Sequence, residues 1–240
     1  MTGLPLTRIS VLPDTFATPG AARRFHVGLA IAVALTVISG FAFSITTRPL
    51  GYLMMIRVIA HASMFFGWVA LFVTQVGLIA AGRVRVHRRL GMAAALLALA
   101  MVLSAPPLAF SAAARGVFGD DSLAFLFVIL VDLALFASFV GAGIYFRRRS
   151  DIHKRLMVLG MVSMLPPAIS RWPIAIRHAP VIPAVLLLFL LATPLFDYLA
   201  RRRQHPVTVW GGAGVVVSLP LRFAIAHSAT WHAIAGWLVR

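Results

Sequence analysis

Six residues able to do chemistry lie inside stretches otherwise built from Leu, Val, Ile, Ala and Phe: His61, His227, Asp132, Arg222, Arg57 and Arg171. An isolated charge in hydrocarbon costs at least ~2.5–3.5 kcal/mol on insertion scales, so these groups are expected to face inward and pair. Asp132 with Arg222 or Arg57 is the expected ion pair, with Arg171 nearby. His61 and His227 fall at similar depth, and two neutral imidazoles on facing helices can span the iron of haem b. In that reading they are the axial ligands and Arg222 or Arg57 holds a propionate. His87 and His153, at the start of two apolar stretches, form a second candidate pair. Two other chemistries stay open. The Asp–Arg pair could open as a solute or proton arrives, as in a transporter, or it could only orient helices. His26, His178, His205 and His232 fall near interfaces and are assigned no role.

These groups need long helices to hold them. A spanning helix takes about 20 mostly apolar residues. Seven stretches qualify: 26–46, 52–82, 90–112, 122–146, 153–172, 180–200 and 207–238. The second and seventh exceed the minimum, so they are expected to tilt, kink or emerge from the bilayer. With a rise of 1.5 Å per residue, His61 lies about 14 Å below the outer end of its stretch, and Asp132 and His227 lie at similar depth. Pro106-Pro107, Pro166-Pro167 and Pro220 gather in the same half. Proline removes an amide donor and frees carbonyls, which is tolerated at depth beside other helices or a watery cavity. The expected fold is therefore all-α: a short cytoplasmic tail over 1–25, then a polytopic bundle of about seven transmembrane helices over 26–240. A polar cavity opens on its outer half.

Charge patterning sets the orientation. Arginine clusters alternate between the gaps: Arg23-Arg24, Arg83 to Arg89, Arg147 to Arg155 and Arg201 to Arg203. With Arg8, 15 of the 22 Lys and Arg fall on one side of such a threading. Lys and Arg are retained in cytoplasmic loops, which puts the amino terminus inside and the carboxyl terminus in the periplasm. Only 12% of residues are charged, 61% are hydrophobic and the mean hydropathy is +0.95. Soluble domains carry about 25% charged residues, so lipid is the main solvent here. The formal charge of +16 then points to anionic lipid headgroups at the cytoplasmic loops rather than to nucleic acid. The chain has no cysteine and no glutamate, which excludes disulfides and thiolate metal sites. Motifs of soluble hydrolases, metalloproteases and P-loop proteins are absent, so no residue is assigned to catalysis.

Val86-His87-Arg88-Arg89-Leu90 recurs 66 residues later as Ile152-His153-Lys154-Arg155-Leu156, which suggests parallel two-helix units. The run from His61 through Trp68 to Gly91, with His153 to Met157 and Pro167 to Trp172, resembles uncharacterised bacterial multi-span inner-membrane proteins. That resemblance covers most of residues 55–225 and implies an integral inner-membrane protein without implying an activity. The histidine spacing across a basic loop, His61 to His87, is loosely similar to cytochrome b561-type proteins, which implies haem binding.

Overall fold

The computed structural model describes residues 19–47, 56–119, 121–178 and 180–239, which form an all-α bundle with no strand among them. In chain order the helices are α1 (Pro19–Thr47), α2 (Ile56–Ala80), α3 (Val84–Ala114), α4 (Ser122–Tyr145) and α5 (Ser150–Ser163). They continue as α6 (Pro166–Ile169), α7 (Pro173–Arg177), α8 (Val181–Arg201), α9 (Pro206–Ala226) and α10 (Ala229–Leu238). Among the described residues, α1 to α4, α8 and α9 are the six helices long and apolar enough to cross a membrane.

The remaining expected stretch, 153–172, is not one helix. Helix α5 stops at Ser163, the chain turns through Met164 and Leu165, and α6 and α7 follow as short pieces. Pro166 and Pro167 lack the amide hydrogens that would continue the ladder, and their rings crowd the preceding carbonyls. Pro106-Pro107, Pro194 and Pro220 remain inside continuous helices instead. The broken segment still runs the length of the bundle. At one end His153 Nδ1 donates to Gly143 O at 2.8 Å, and at the other Trp172 Nε1 donates to Ser39 Oγ at 3.0 Å. Six continuous helices and one broken one therefore alternate in direction, and Pro19 and Ala226 lie at opposite ends.

Two expected boundaries move. Helix α1 already includes Pro19 rather than starting near residue 26; residues 1–18 of the expected tail lie outside the described residues. The stretch 207–238 divides at His227-Ser228, where Ser228 Oγ accepts from Trp231 N at 3.2 Å and caps α10.

The bundle is apolar outside as well as inside. Leu35 and Ile38 on α1, Leu96 and Leu103 on α3, and Leu188 and Leu195 on α8 all face outward. Between lipid-immersed helices the hydrophobic effect supplies little attraction, so close packing and polar pairs hold them. Gly40 shows how close: a Cβ there would lie 2.1 Å from the Ala168 carbonyl oxygen, so α1 and α6 touch backbone to backbone. Gly160 against the Val140 side chain and Gly143 against the Met157 side chain bring α4 and α5 close as well.

The 66-residue spacing recurs in the elements, where Val84 and Ser150 open α3 and α5. Arg83 and Arg149 occupy matching N-cap positions. The turns at 81–83, 146–149 and 202–205, carrying Arg83, Arg147 to Arg149, Arg202 and Arg203, gather at one end of the bundle. That end is called the basic end below.

Candidate functional site

Toward the opposite end, a cavity of about 1410 Å³ lies among α1 to α4, the broken segment, α8 and α9. His61, Asp132, Arg171, Arg222 and His227 all line it. The sixth residue of the expected cluster, Arg57, lies on α2, but its side chain is outside the described residues.

Asp132 sits ten positions into α4 and is buried; Arg222, one turn from the end of α9, is buried beside it. Arg222 Nη1 donates to Asp132 Oδ1, and the side chains are only 3% and 6% exposed. The guanidinium is held further by Nη2 donating to Ser218 Oγ at 2.7 Å and Nε donating to Ser218 O at 3.3 Å. Ser218 stands one helical turn before Arg222, so the same face supplies the cation and the groups that orient it. Nε, Nη1 and Nη2 of Arg222 thus each have a directed acceptor, which helps to make a buried charge tolerable.

Arg171 follows the break. Pro167 O, freed where the chain leaves α6, accepts from Arg171 Nη1 and from Ser170 Oγ at 3.1 Å. The guanidinium carbon stands 4.3 Å from the centre of the Phe41 ring, within cation–π range. Met164, Pro166, Pro167 and Ser170 also reach the cavity wall, so the discontinuity in the helix and the cavity coincide.

The two histidines of this end are placed differently. His61 is half-buried on α2, and its Nδ1 is buried with no hydrogen-bond partner among the described residues. His227 closes α9 as an exposed C-cap, nearer the helix end than the depth expected from sequence. Its Nδ1 donates to Phe223 O at 2.8 Å, and its Nε2 lies 3.9 Å from Asp121 Oδ2. Both nitrogens of His227 are thereby directed at protein oxygens, a poor fit to an axial ligand opposite His61. Asp121 also lies 3.5 Å from His232 Nε2, and Trp231 Nε1 donates to Leu123 O at 2.7 Å. These contacts fold α10 back against the start of α4 at the cavity mouth.

His87 and His153 come together at the basic end. Their ring centroids are 6.3 Å apart at 79°, joining the matched positions of the two repeats. The hydrogen bond to Gly143 O takes a proton on His153 Nδ1. Buried His87 Nδ1 and Gln75 Oε1 lack hydrogen-bond partners among the described residues.

One buried pair escapes the sequence reading. Arg155 Nη2 donates to Asp197 Oδ1 at 2.7 Å and Oδ2 at 2.6 Å, and Nε donates to Oδ2 at 3.2 Å. Arg155 Nη1 donates to Asp151 O at 2.9 Å, and the Arg155 and Asp197 side chains are 2% and 5% exposed. Arg155 reads as one more cation of a surface loop because it adjoins Lys154 and Asp151. Asp197 carried the usable signal, as one of only six acids and the only one within 180–200. No protein-family model, curated protein or solved structure matches this chain. Its site is read from its own geometry.

Proposed function

We propose that the chain is a bacterial inner-membrane protein that binds a small, largely apolar solute in this cavity, as a transporter or membrane receptor does. The observation carrying this reading is the coincidence of a broken helix, a large cavity and the buried Asp132–Arg222 pair. Discontinuous helices mark the binding sites of many transporters, because unwound backbone is tolerated only where it lines a cavity. Pockets for drug-sized ligands span roughly 300–1,000 Å³, so this volume is ample for one solute. The Arg-rich turns support an orientation with the basic end in the cytoplasm beside anionic headgroups, the amino terminus inside and the cavity toward the periplasm.

The test uses a photoreactive long-chain alcohol carrying a diazirine, with the protein in phosphatidylcholine nanodiscs. Saturable labelling at cavity residues such as Phe66 and Val128 is expected, and Asp132→Asn should change its half-saturation at matched folded yield. Labelling spread without saturation over Leu96, Leu103 and Leu188, the outward-facing leucines, refutes the reading. Loss of folded yield alone in Asp132→Asn would leave the pair an orienting device.

A second reading, haem-linked electron transfer, is favoured by one observation: the 6.3 Å approach of His87 and His153. His87 and His153 would hold the iron, since a histidine ligand usually donates its other ring hydrogen to a carbonyl or carboxylate, as His153 does to Gly143 O. Haem supplies one-electron chemistry where it binds, and the arginines around this pair suit its propionates. Protein purified after growth with added haem should then show a Soret band lost in His153→Ala; a colourless wild type ends this reading.

A further inference from the structure

Two threonines stand apart from other hydroxyls on these helices. Thr36 and Thr74 donate to the carbonyl one turn back, Ala32 O at 2.9 Å and Ala70 O at 2.8 Å, as a hydroxyl on an apolar helix can. Thr193 on α8 and Thr208 on α9 do not. Both residues are buried, 5% and 3% exposed, and neither Oγ1 has a hydrogen-bond partner among the described residues. A buried hydroxyl without a partner forfeits its hydration with no return, so each calls for one.

Both threonines border the same small space, together with Arg155, Val158 and Leu159 of α5 and Leu190 of α8. All six are buried. The space measures about 10 Å³, roughly one water-sized sphere. None of its bordering residues belongs to the large cavity, so what it holds is independent of the solute reading.

Size and charge select the occupant. A cation would meet the Arg155 guanidinium, and an anion gains little because both Asp197 oxygens already neutralise that group. A water both donates and accepts, so one molecule can serve two hydroxyls at once. Arg155 directs Nε and Nη2 at Asp197 and Nη1 at the Asp151 carbonyl. Nη1 carries two hydrogens, so the guanidinium keeps a donor to offer. Pro194, inside α8, has no amide to donate to the Leu190 carbonyl one turn back. A buried water typically makes about three hydrogen bonds, which these groups can supply.

We propose that one water is bound between α5, α8 and α9, joining the Thr193 and Thr208 hydroxyls beside the Arg155–Asp197 pair. It ties both arms of the α8–α9 hairpin to α5 near the basic end, at a point where no direct side-chain bond joins the two threonines.

The test combines X-ray radiolytic footprinting of the detergent-purified chain with two isosteric variants. Radicals made from a bound water oxidise the side chains touching it, so Leu159 and Leu190 should be oxidised well above Leu186. That leucine is 1% exposed, lies one turn from Leu190 and borders neither space. Thr193→Val and Thr208→Val should each lower the unfolding equilibrium by about fivefold, the scale of one hydrogen bond. A dry space predicts the opposite sign, because valine then replaces an unpaired hydroxyl. A gain in stability in either variant overturns the proposal. So does oxidation of Leu159 and Leu190 no faster than Leu186, which decides the matter even where a variant fails to fold. Exchanging chloride for gluconate at constant ionic strength should leave the wild-type midpoint unchanged; a fall would give the site to an anion instead.

Discussion

Removing the Asp132 carboxylate tests whether the pair with Arg222 carries folding energy. Both side chains are almost fully buried, and the guanidinium keeps Ser218 Oγ and Ser218 O after Asp132 is cut back. Breaking a buried ion pair from one side costs about 3–5 kcal/mol because the survivor stays charged and buried. The two Ser218 bonds offset part of this, so Asp132→Ala is expected near the lower limit, ~3 kcal/mol. Asp132→Asn keeps an acceptor for Nη1 and loses only the charge, so about 1.5–2 kcal/mol is expected, the scale of a hydrogen bond to a charged group. Replacing both residues, Asp132→Leu with Arg222→Met, removes the unpaired charge and should recover most of the loss. Unfolding in mild detergent, run as a double-mutant cycle, measures the coupling directly. A coupling below ~0.5 kcal/mol, within the error of additivity, would refute the claim that the two groups stabilise one another.

Other outcomes follow from the same geometry. Asp197→Ala should destabilise at least as strongly as Asp132→Ala, about 4 kcal/mol, since Arg155 uses three donor contacts on that carboxylate; an unchanged unfolding midpoint would contradict this. Gly40→Val should abolish folded yield by size-exclusion, because its Cβ would meet the Ala168 carbonyl rather than a yielding side chain, and overpacking already costs about 1–3 kcal/mol where side chains can shift. Reporter fusions at the two termini should read opposite faces of the membrane, and a common face would refute the odd number of passages.

The spans were legible because each is a long apolar run bounded by arginines, and that pattern survives without tertiary context. The fifth stretch was legible as membrane-embedded but not as broken. Proline pairs occur at 106–107 and at 166–167, and only the second ends a helix. The difference is tertiary: α3 buries Ala98, Ala105, Ala109 and Ala112 along a continuous seam through its prolines, whereas Ala168 is pressed against Gly40 just past the break. The Asp132–Arg222 contact could be anticipated, because lone charges in apolar stretches must find each other. That Arg222 would be the one to meet it could not, since helix rotation decides which face meets which. Depth misled for His227, because an apolar run through 238 hides the turn that ends α9 and sets its histidine at a helix end. Arg155 was hidden by its neighbours, since only packing separates a snorkelling loop arginine from one folded inward on Asp197.

The two ion pairs also explain how a bundle with so little internal hydrophobic driving force keeps a cavity open. Both join the α4–α5 hairpin to the α8–α9 hairpin: Arg155–Asp197 ties α5 to α8 at the basic end, and Asp132–Arg222 ties α4 to α9 toward the other. Apolar side chains alone gain little by leaving lipid for a neighbouring helix, so such helices could drift together and fill the space. Two directed pairs at different heights fix both separation and tilt, because each has short reach and a buried charge cannot leave its partner cheaply. The broken segment lies between them, anchored by Arg155 before its break and by Arg171 after it. Rigidity at the basic end beside discontinuity at the cavity is the division that a solute-binding reading requires. On that reading any rearrangement on ligand arrival falls in residues 164–177, leaving both ion pairs in place.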